Sequence, residues 1–243
     1  MKIYFFCYPQ GPPDKAGYQH QTVVLAEGLR ELGIKFSSNL NYWKITADSD
    51  EYLLKEEQKH HYEDFDVVVV SSMFYYYKRE DLLPANLFKS KRSYKLVFID
   101  SSDGQNTPGY RPEIRYADLV LKSYYCSKYS YPYNFTPWQF GLSRRIISSL
   151  VPLPFADRNN DVLVNYRVEH SVRMLAERTV METVYKTLYL NSEIDVFDEI
   201  KFSRQDKLYW EQSGRRHYPE YYKRLGASKA CAAFGGRLQT HLL

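Results

Sequence analysis

Three groups of side chains in this sequence have the types and spacing for chemistry. The first is His20. It follows a turn-rich loop, Pro9-Gln-Gly-Pro-Pro-Asp-Lys-Ala-Gly17, and opens a helical stretch. An imidazole titrates near neutral pH and can serve as a general base; the same residue can also cap its helix or bond to its own loop. Gly17, beside Tyr18, lets the backbone approach a ligand or simply serves the turn. The second group is Asp100-Ser-Ser-Asp103-Gly104, where Asp100, Ser102, Asp103 and Gly104 could bind hydroxyls, supply a base or hold a divalent ion. An Asx-type turn capped by its own carboxylates gives the same pattern. The third group is Arg167, Arg173 and Lys229. A guanidinium matches a diphosphate through paired donors, and a helix starting near Glu169 would add its dipole. Arg173 could equally lie on a solvated face, paired with Glu169 or Glu177. His60-His61 is an isolated pair in a charged stretch and is not read as a metal site, so no metal is expected.

The elements that must position these groups alternate between strand and helix. Lys2-Ile-Tyr-Phe-Phe-Cys-Tyr8 reads as a strand buried on both faces. Tyr18 to Leu32 reads as a helix with Val24, Leu25, Leu29 and Leu32 on one side and Gly33 as its stop. Ile34–Asn41 reads as a second strand, and the charged residues 48–64 as a surface helix or excursion. Phe65-Asp-Val-Val-Val-Val70 is the clearest strand and ends in Ser71-Ser72, small polar residues that let a ligand approach. Residues 78–89 look helical with an interruption at Pro84. Tyr94–Ile99 and Ala117–Leu121 complete this set of strands, which predicts βαβ units and a parallel sheet. Between Ser123 and Pro154 the tyrosines and prolines read as a crossing between lobes. The rhythm then restarts: Asp161–Asn165 as strand, Glu169–Leu190 as a long helix, Ile194–Phe197 as strand, Tyr218–Leu225 as helix and Ser228–Phe234 as strand. The expectation is an α/β protein with two Rossmann-like lobes, residues 1–140 and 141–243. Two complete lobes need roughly 300 residues, so the second reads as incomplete.

Composition limits the function classes. The chain has 24 Tyr and 13 Phe among 243 residues, which fits either half-wet binding clefts or thick aromatic cores. A net charge of +4 favours an anionic ligand slightly and lacks the basic stripe of a nucleic-acid binder. Cys7, Cys126 and Cys231 are far apart and read as reduced, mostly buried thiols of a cytoplasmic protein. No leader is visible, and no apolar run approaches the roughly 18 residues of a membrane span; peripheral membrane association stays open. The glycine motifs of dinucleotide oxidoreductases and P-loop NTPases are absent, as is the serine elbow of α/β-hydrolases.

Gly17-Tyr18-Gln19-His20-Gln21, followed by Leu25-Ala26-Glu27-Gly28-Leu29-Arg30-Glu31-Leu32-Gly33, resembles the opening of GT-B glycosyltransferases. There a glycine loop precedes a helix reading L-A-x-x-L-x-x-x-G. Phe140-Gly141-Leu142 resembles their turn between lobes, and Val162–Arg167 the strand that opens their second lobe. Tyr221-Tyr-Lys-Arg-Leu-Gly-Ala-Ser-Lys-Ala-Cys231 is similar to a segment of the exostosin-like branch; the glycogen-synthase-like branch shares the general plan. The resemblance implies transfer from a nucleotide-sugar cosubstrate to a saccharide or polysaccharide acceptor, as in polysaccharide biosynthesis, without a further cofactor. It places His20, Asp100 and Asp103 in catalysis. It assigns substrate contacts to Gly17, Tyr18, Ser71, Ser102 and Gly104, and diphosphate contacts to Arg167, Arg173 and Lys229. The sequence ends before the donor-side glutamates of the family, so the resemblance also leaves room for a partner that completes the donor lobe. The alternatives are a non-catalytic glycan- or partner-binding protein and a sugar-nucleotide epimerase.

Overall fold

The structure, a computed structural model, describes residues 1–9, 20–45, 50–102, 112–164, 175, 179, 187–189 and 219–232. The chain divides into two compact units, one built on Met1–Arg145 and one beginning at Ile146.

The first unit is an α/β layer structure around a parallel sheet. Its strands are β1 (Lys2–Phe6), β2 (Lys35–Ser38), β5 (Val67–Ser71), β6 (Lys95–Asp100), β7 (Leu119–Lys122) and β8 (Phe135–Pro137), in the order β2-β1-β5-β6-β7-β8 with every pair parallel. The apolar strand cores explain this: Phe5, Val68, Val70, Leu96, Phe98 and Val120 have no exposure at all, as a sheet covered on both faces requires. From β1 the chain first adds β2 on one side and then returns to add β5 on the other. That reversal creates a switch point between β1 and β5, where doubly wound sheets bind ligands at the carboxyl ends of their strands.

The two faces are covered differently. On one, helix α1 (His20–Glu31) and a hairpin of β3 (Tyr42–Lys44) with β4 (Tyr52–Leu54) pack Val23, Ala26, Trp43 and Leu54 against Ile3, Phe5, Val69 and Ile99. Helix α1 stops at Gly33, whose φ of +67° suits glycine. Ile34 N–H bonds back to Leu29 and Gly33 N–H to Arg30, which satisfies the last carbonyls. Among the described residues the other face has only short helical turns, such as α2 (Met73–Tyr76), and aromatic side chains fill the layer. Tyr4 meets Phe6 and Phe65 edge-on at 5.1 Å, Tyr62 meets Tyr94 at 5.6 Å, and Tyr75 meets Phe98 at 5.7 Å. Much of the tyrosine and phenylalanine excess is therefore core, standing in for the apolar stripe of a long helix.

The second unit contains a parallel sheet of β9 (Asn160–Val164) between β10 (Thr187–Tyr189) and β11 (Ser228–Ala232), with α3 (Arg144–Ser149) at the boundary and α4 (Pro219–Gly226) before β11. Gly226 closes α4 so near the chain at Val151 that a Cβ would lie 2.5 Å from its carbonyl oxygen.

Several expectations change or are narrowed. Of the two alternatives for the charged stretch, residues 50–64 take the excursion, with the β4 strand and a 3₁₀ turn at Tyr62–Asp64. Residues 78–89 hold only a 3₁₀ turn at Glu80–Leu82. A sixth strand, β8, follows β7; its Pro137 is tolerated because β8 is an edge. Leu175 and Thr179 are helical, as expected, but residues 187–189 are strand, so the helix does not run to Leu190; its other residues and the strand at 194–197 lie outside the described residues. Cys231 is exposed, whereas Cys7 is buried. No helix among the described residues is long and apolar enough to cross a membrane.

The aromatic layer predicts the alkaline limit of the fold. Burial, followed by the nearby Cys7, Glu57 and Glu56, pushes the Tyr4 hydroxyl up to about 12 from 10.0. Burial also raises Tyr62 and Tyr94. A raised folded pKa gives stability that is complete below the unfolded value and is lost as pH rises through the folded one. Urea unfolding should therefore be steady to about pH 9 and weaken between pH 10 and about 12, less steeply in Tyr4→Phe. Identical profiles for the two proteins would contradict this.

Candidate functional site

The polar residues of the first unit gather at the carboxyl ends of β5, β6 and β7. Asp100 closes β6 and Lys122 closes β7 as register partners. Strand alternation puts both on the face of Phe98 and Val120, where each side chain has 0% exposure and Lys122 Nζ lies 2.9 Å from Asp100 Oδ2. The second oxygen is used too. Asp100 Oδ1 accepts from Ser102 Oγ at 2.6 Å and from the Ser102 N–H at 3.1 Å. A buried carboxylate with a cation and two further donors is satisfied, and the Ser102 contacts make the Asx-type turn that the sequence allowed.

The network continues along the strand ends. Ser123 Oγ donates to the Asp100 carbonyl at 3.0 Å and accepts from Gln21 Nε2 at the start of α1. Ser72 and Ser101 share a hydroxyl–hydroxyl hydrogen bond of 2.8 Å, and the Ser101 N–H donates to Ser72 Oγ at 3.1 Å. The Ser71 hydroxyl accepts from the Met73 N–H at 3.3 Å and is buried. Ser101 and Ser102 are half-buried, whereas Ser71, Ser72 and Ser123 are buried. At β1, the Cys7 N–H and carbonyl are held by the Asn39 amide at 2.7 and 3.1 Å. Burial pushes the Cys7 thiol up, which keeps it protonated and inert.

His20 has a structural partner far away in sequence. It is 3% exposed, and its Nε2 lies 2.9 Å from the Gly141 carbonyl. Further along the same helix, Glu27 accepts from the Arg144 N–H at 2.9 Å, and Glu31 pairs with the Arg144 guanidinium at 2.7 Å. Burial raises the Glu27 carboxyl, opposed by the Arg144 N–H, the Arg30 and Arg144 charges and the Trp43 side chain. The Arg145 guanidinium stacks 4.3 Å over Trp43, a fully buried residue at φ 61°. A bulky side chain in that region is a backbone outlier, held by its surroundings. Residues 141–145 are thus strapped along α1.

The expected site residues separate accordingly. Asp100, Ser102 and Ser71 do meet at the strand ends, but Asp100 has both oxygens in use and Ser71 turns back on α2. These bonds give Asp100, read from the sequence as catalytic, and Ser71, read as a substrate contact, a part in the scaffold. His20 is likewise a clasp in this structure. Lys229 is the second residue of β11 and pairs with Asp161 at 2.9 Å, at the amino ends of β11 and β9. Ligands bind parallel sheets at the opposite end. Gly17, Tyr18, Asp103, Gly104, Arg167 and Arg173 lie outside the described residues. Sequence reasoning missed Lys122, Ser123 and Gln21. The available signal was a single charge of opposite sign ending each of two adjacent buried runs, Phe98-Ile-Asp100 and Val120-Leu-Lys122. Among the described residues no group of three His, Cys, Asp or Glu side chains comes together. No protein-family model matches the chain, and none of the curated proteins compared with it matches.

Breaking the ion pair from one side should cost about 3–5 kcal/mol, because the partner charge stays buried. In urea unfolding, Lys122→Met and Asp100→Leu should each show this loss, and the double variant less than the sum. Additive losses below about 1 kcal/mol would refute the pair. Gly141 tests the strap: a Cβ there would lie 2.5 Å from Val24 Cγ1. Gly141→Ala should lose about 1–3 kcal/mol, and Val24→Ala in the same chain should restore part of it.

Proposed function

We propose that this chain is a nucleotide-sugar-dependent glycosyltransferase of the GT-B plan, with the first unit on the acceptor side. The observation that supports it most is the succession of two α/β units, each with an all-parallel sheet. The hydroxyls of Ser101 and Ser102 at the carboxyl end of β6 suit a saccharide, whose own hydroxyls both donate and accept. Asp100, fixed by Lys122, positions Ser102; it is not itself the base. Proton transfer from the acceptor hydroxyl falls in this reading to Asp103, the remaining carboxylate of that run, and the donor diphosphate to Arg167 and Arg173.

A second reading is a non-catalytic glycan- or partner-binding protein. It is favoured by a specific finding: two of the three residues expected to be catalytic are held by internal bonds, His20 through Nε2 to the Gly141 carbonyl and Asp100 through both carboxylate oxygens.

Calorimetry of the full chain against UDP-, GDP- and ADP-linked sugars tests the first reading. At least one donor should bind, Arg167→Ala should weaken it about tenfold, and Asp103→Asn should abolish sugar transfer while leaving donor binding intact. Absence of binding to every nucleotide sugar contradicts the transferase. Binding of saccharides without turnover supports the second reading.

A further inference from the structure

The outer edge of the sheet carries a gap remote from the polar cluster. Ser38 N–H donates to the Lys55 carbonyl at 2.8 Å, and the Ser38 carbonyl accepts from Glu57 N–H at 2.8 Å, so residues 55–57 run parallel to β2 along its outer side. The N–H and carbonyl of a strand residue share one side, and that side alternates. Asn39 N–H points inward, to Phe5 at 3.1 Å. Phe36, two residues before Ser38, therefore presents its backbone groups outward. No hydrogen bond among the described residues reaches them, because β4 swings away to pair with β3 through Tyr42 and Leu54.

Where the two separate lies a cavity of about 420 Å³, within the range of ligand pockets. Phe36 and Ile45 give it an apolar wall, while Arg30, Lys35 and Lys55 face the single carboxylate of Glu51. Glu51 is taken by Lys55 at 3.1 Å. Arg30 and Lys35 make no salt bridge with any described residue. The gap thus offers an open strand edge, an apolar wall and two cations, Arg30 and Lys35, that make no ion pair among the described residues, Arg30 lying within electrostatic reach of Glu27.

We propose that this gap binds a short acidic peptide segment in extended conformation, added to β2 as an edge strand. Its backbone completes the bonds of Phe36, and its carboxylates lie against Arg30 and Lys35. A small anion would use only the charges and an apolar strand only the backbone; an acidic strand uses both. The inference is independent of the transferase reading.

The test is an NMR titration of the full chain with a capped pentapeptide of sequence VEVDV. It should shift the amides of residues 35–37 and 53. The same peptide methylated on its central amide nitrogen, and the lysine analogue VKVKV, should bind at least about tenfold more weakly. Arg30→Glu with Lys35→Glu, at one half-buried and one exposed position, should produce a similar loss for VEVDV. The proposal is overturned by absence of VEVDV binding, by binding that survives both methylation and charge reversal, or by inorganic phosphate shifting the same amides equally.

Discussion

The Asp100–Lys122 ion pair is the constraint on which the polar end of the first unit depends. Two full charges without solvent are tolerated only where every remaining donor and acceptor finds a partner. Here that requirement fixes the ends of β6 and β7 in register, turns Ser102 inward to the carboxylate, and holds Ser123 where Gln21 can reach it. The start of α1 is thereby tied to the strand ends two positions beyond the switch point. An apolar pair would hold the strands as well, but it would leave no reason for these hydroxyls to line up.

The same helix is anchored a second time by the 141–145 strap. His20 at its start and Glu27 in its middle take backbone groups of Gly141 and Arg144, and Trp43 is pressed into an unfavourable backbone region beneath Arg145. Polar residues on the buried side of α1 are thus spent on positioning. That separates the groups that build the platform from Ser101 and Ser102, which are half-buried on it.

The parallel sheet was legible because its strands are unbroken apolar runs, of which Val67–Val70 is the plainest, and α1 because its periodicity ends at Gly33. Less legible was the aromatic face. Composition alone could not distinguish a tyrosine-lined cleft from a tyrosine-filled core, and only the pairing of Tyr4, Tyr62 and Tyr94 in space decides it. β8 was hidden by Pro137, which local propensity counts against a strand although an edge position accepts it. The site was half legible. The end of β6 was found as a polar cluster, but the role of Asp100 depends on Lys122, a residue 22 positions away that only strand register brings alongside. His20 shows the same difficulty, since its partner is 121 residues distant.

In this account the carboxyl end of the first sheet is a platform organised by a buried charge pair and faced with serine hydroxyls. Backbone amide shifts of isotope-labelled protein, followed while a nucleotide sugar and candidate saccharides are added, test that most directly. The account predicts perturbations at Ser72, Ser101, Ser102 and Gln21, with Lys2, Asp66 and Lys95 at the opposite end of the sheet unmoved. Perturbations centred on that opposite end, or none with any sugar ligand, would contradict it.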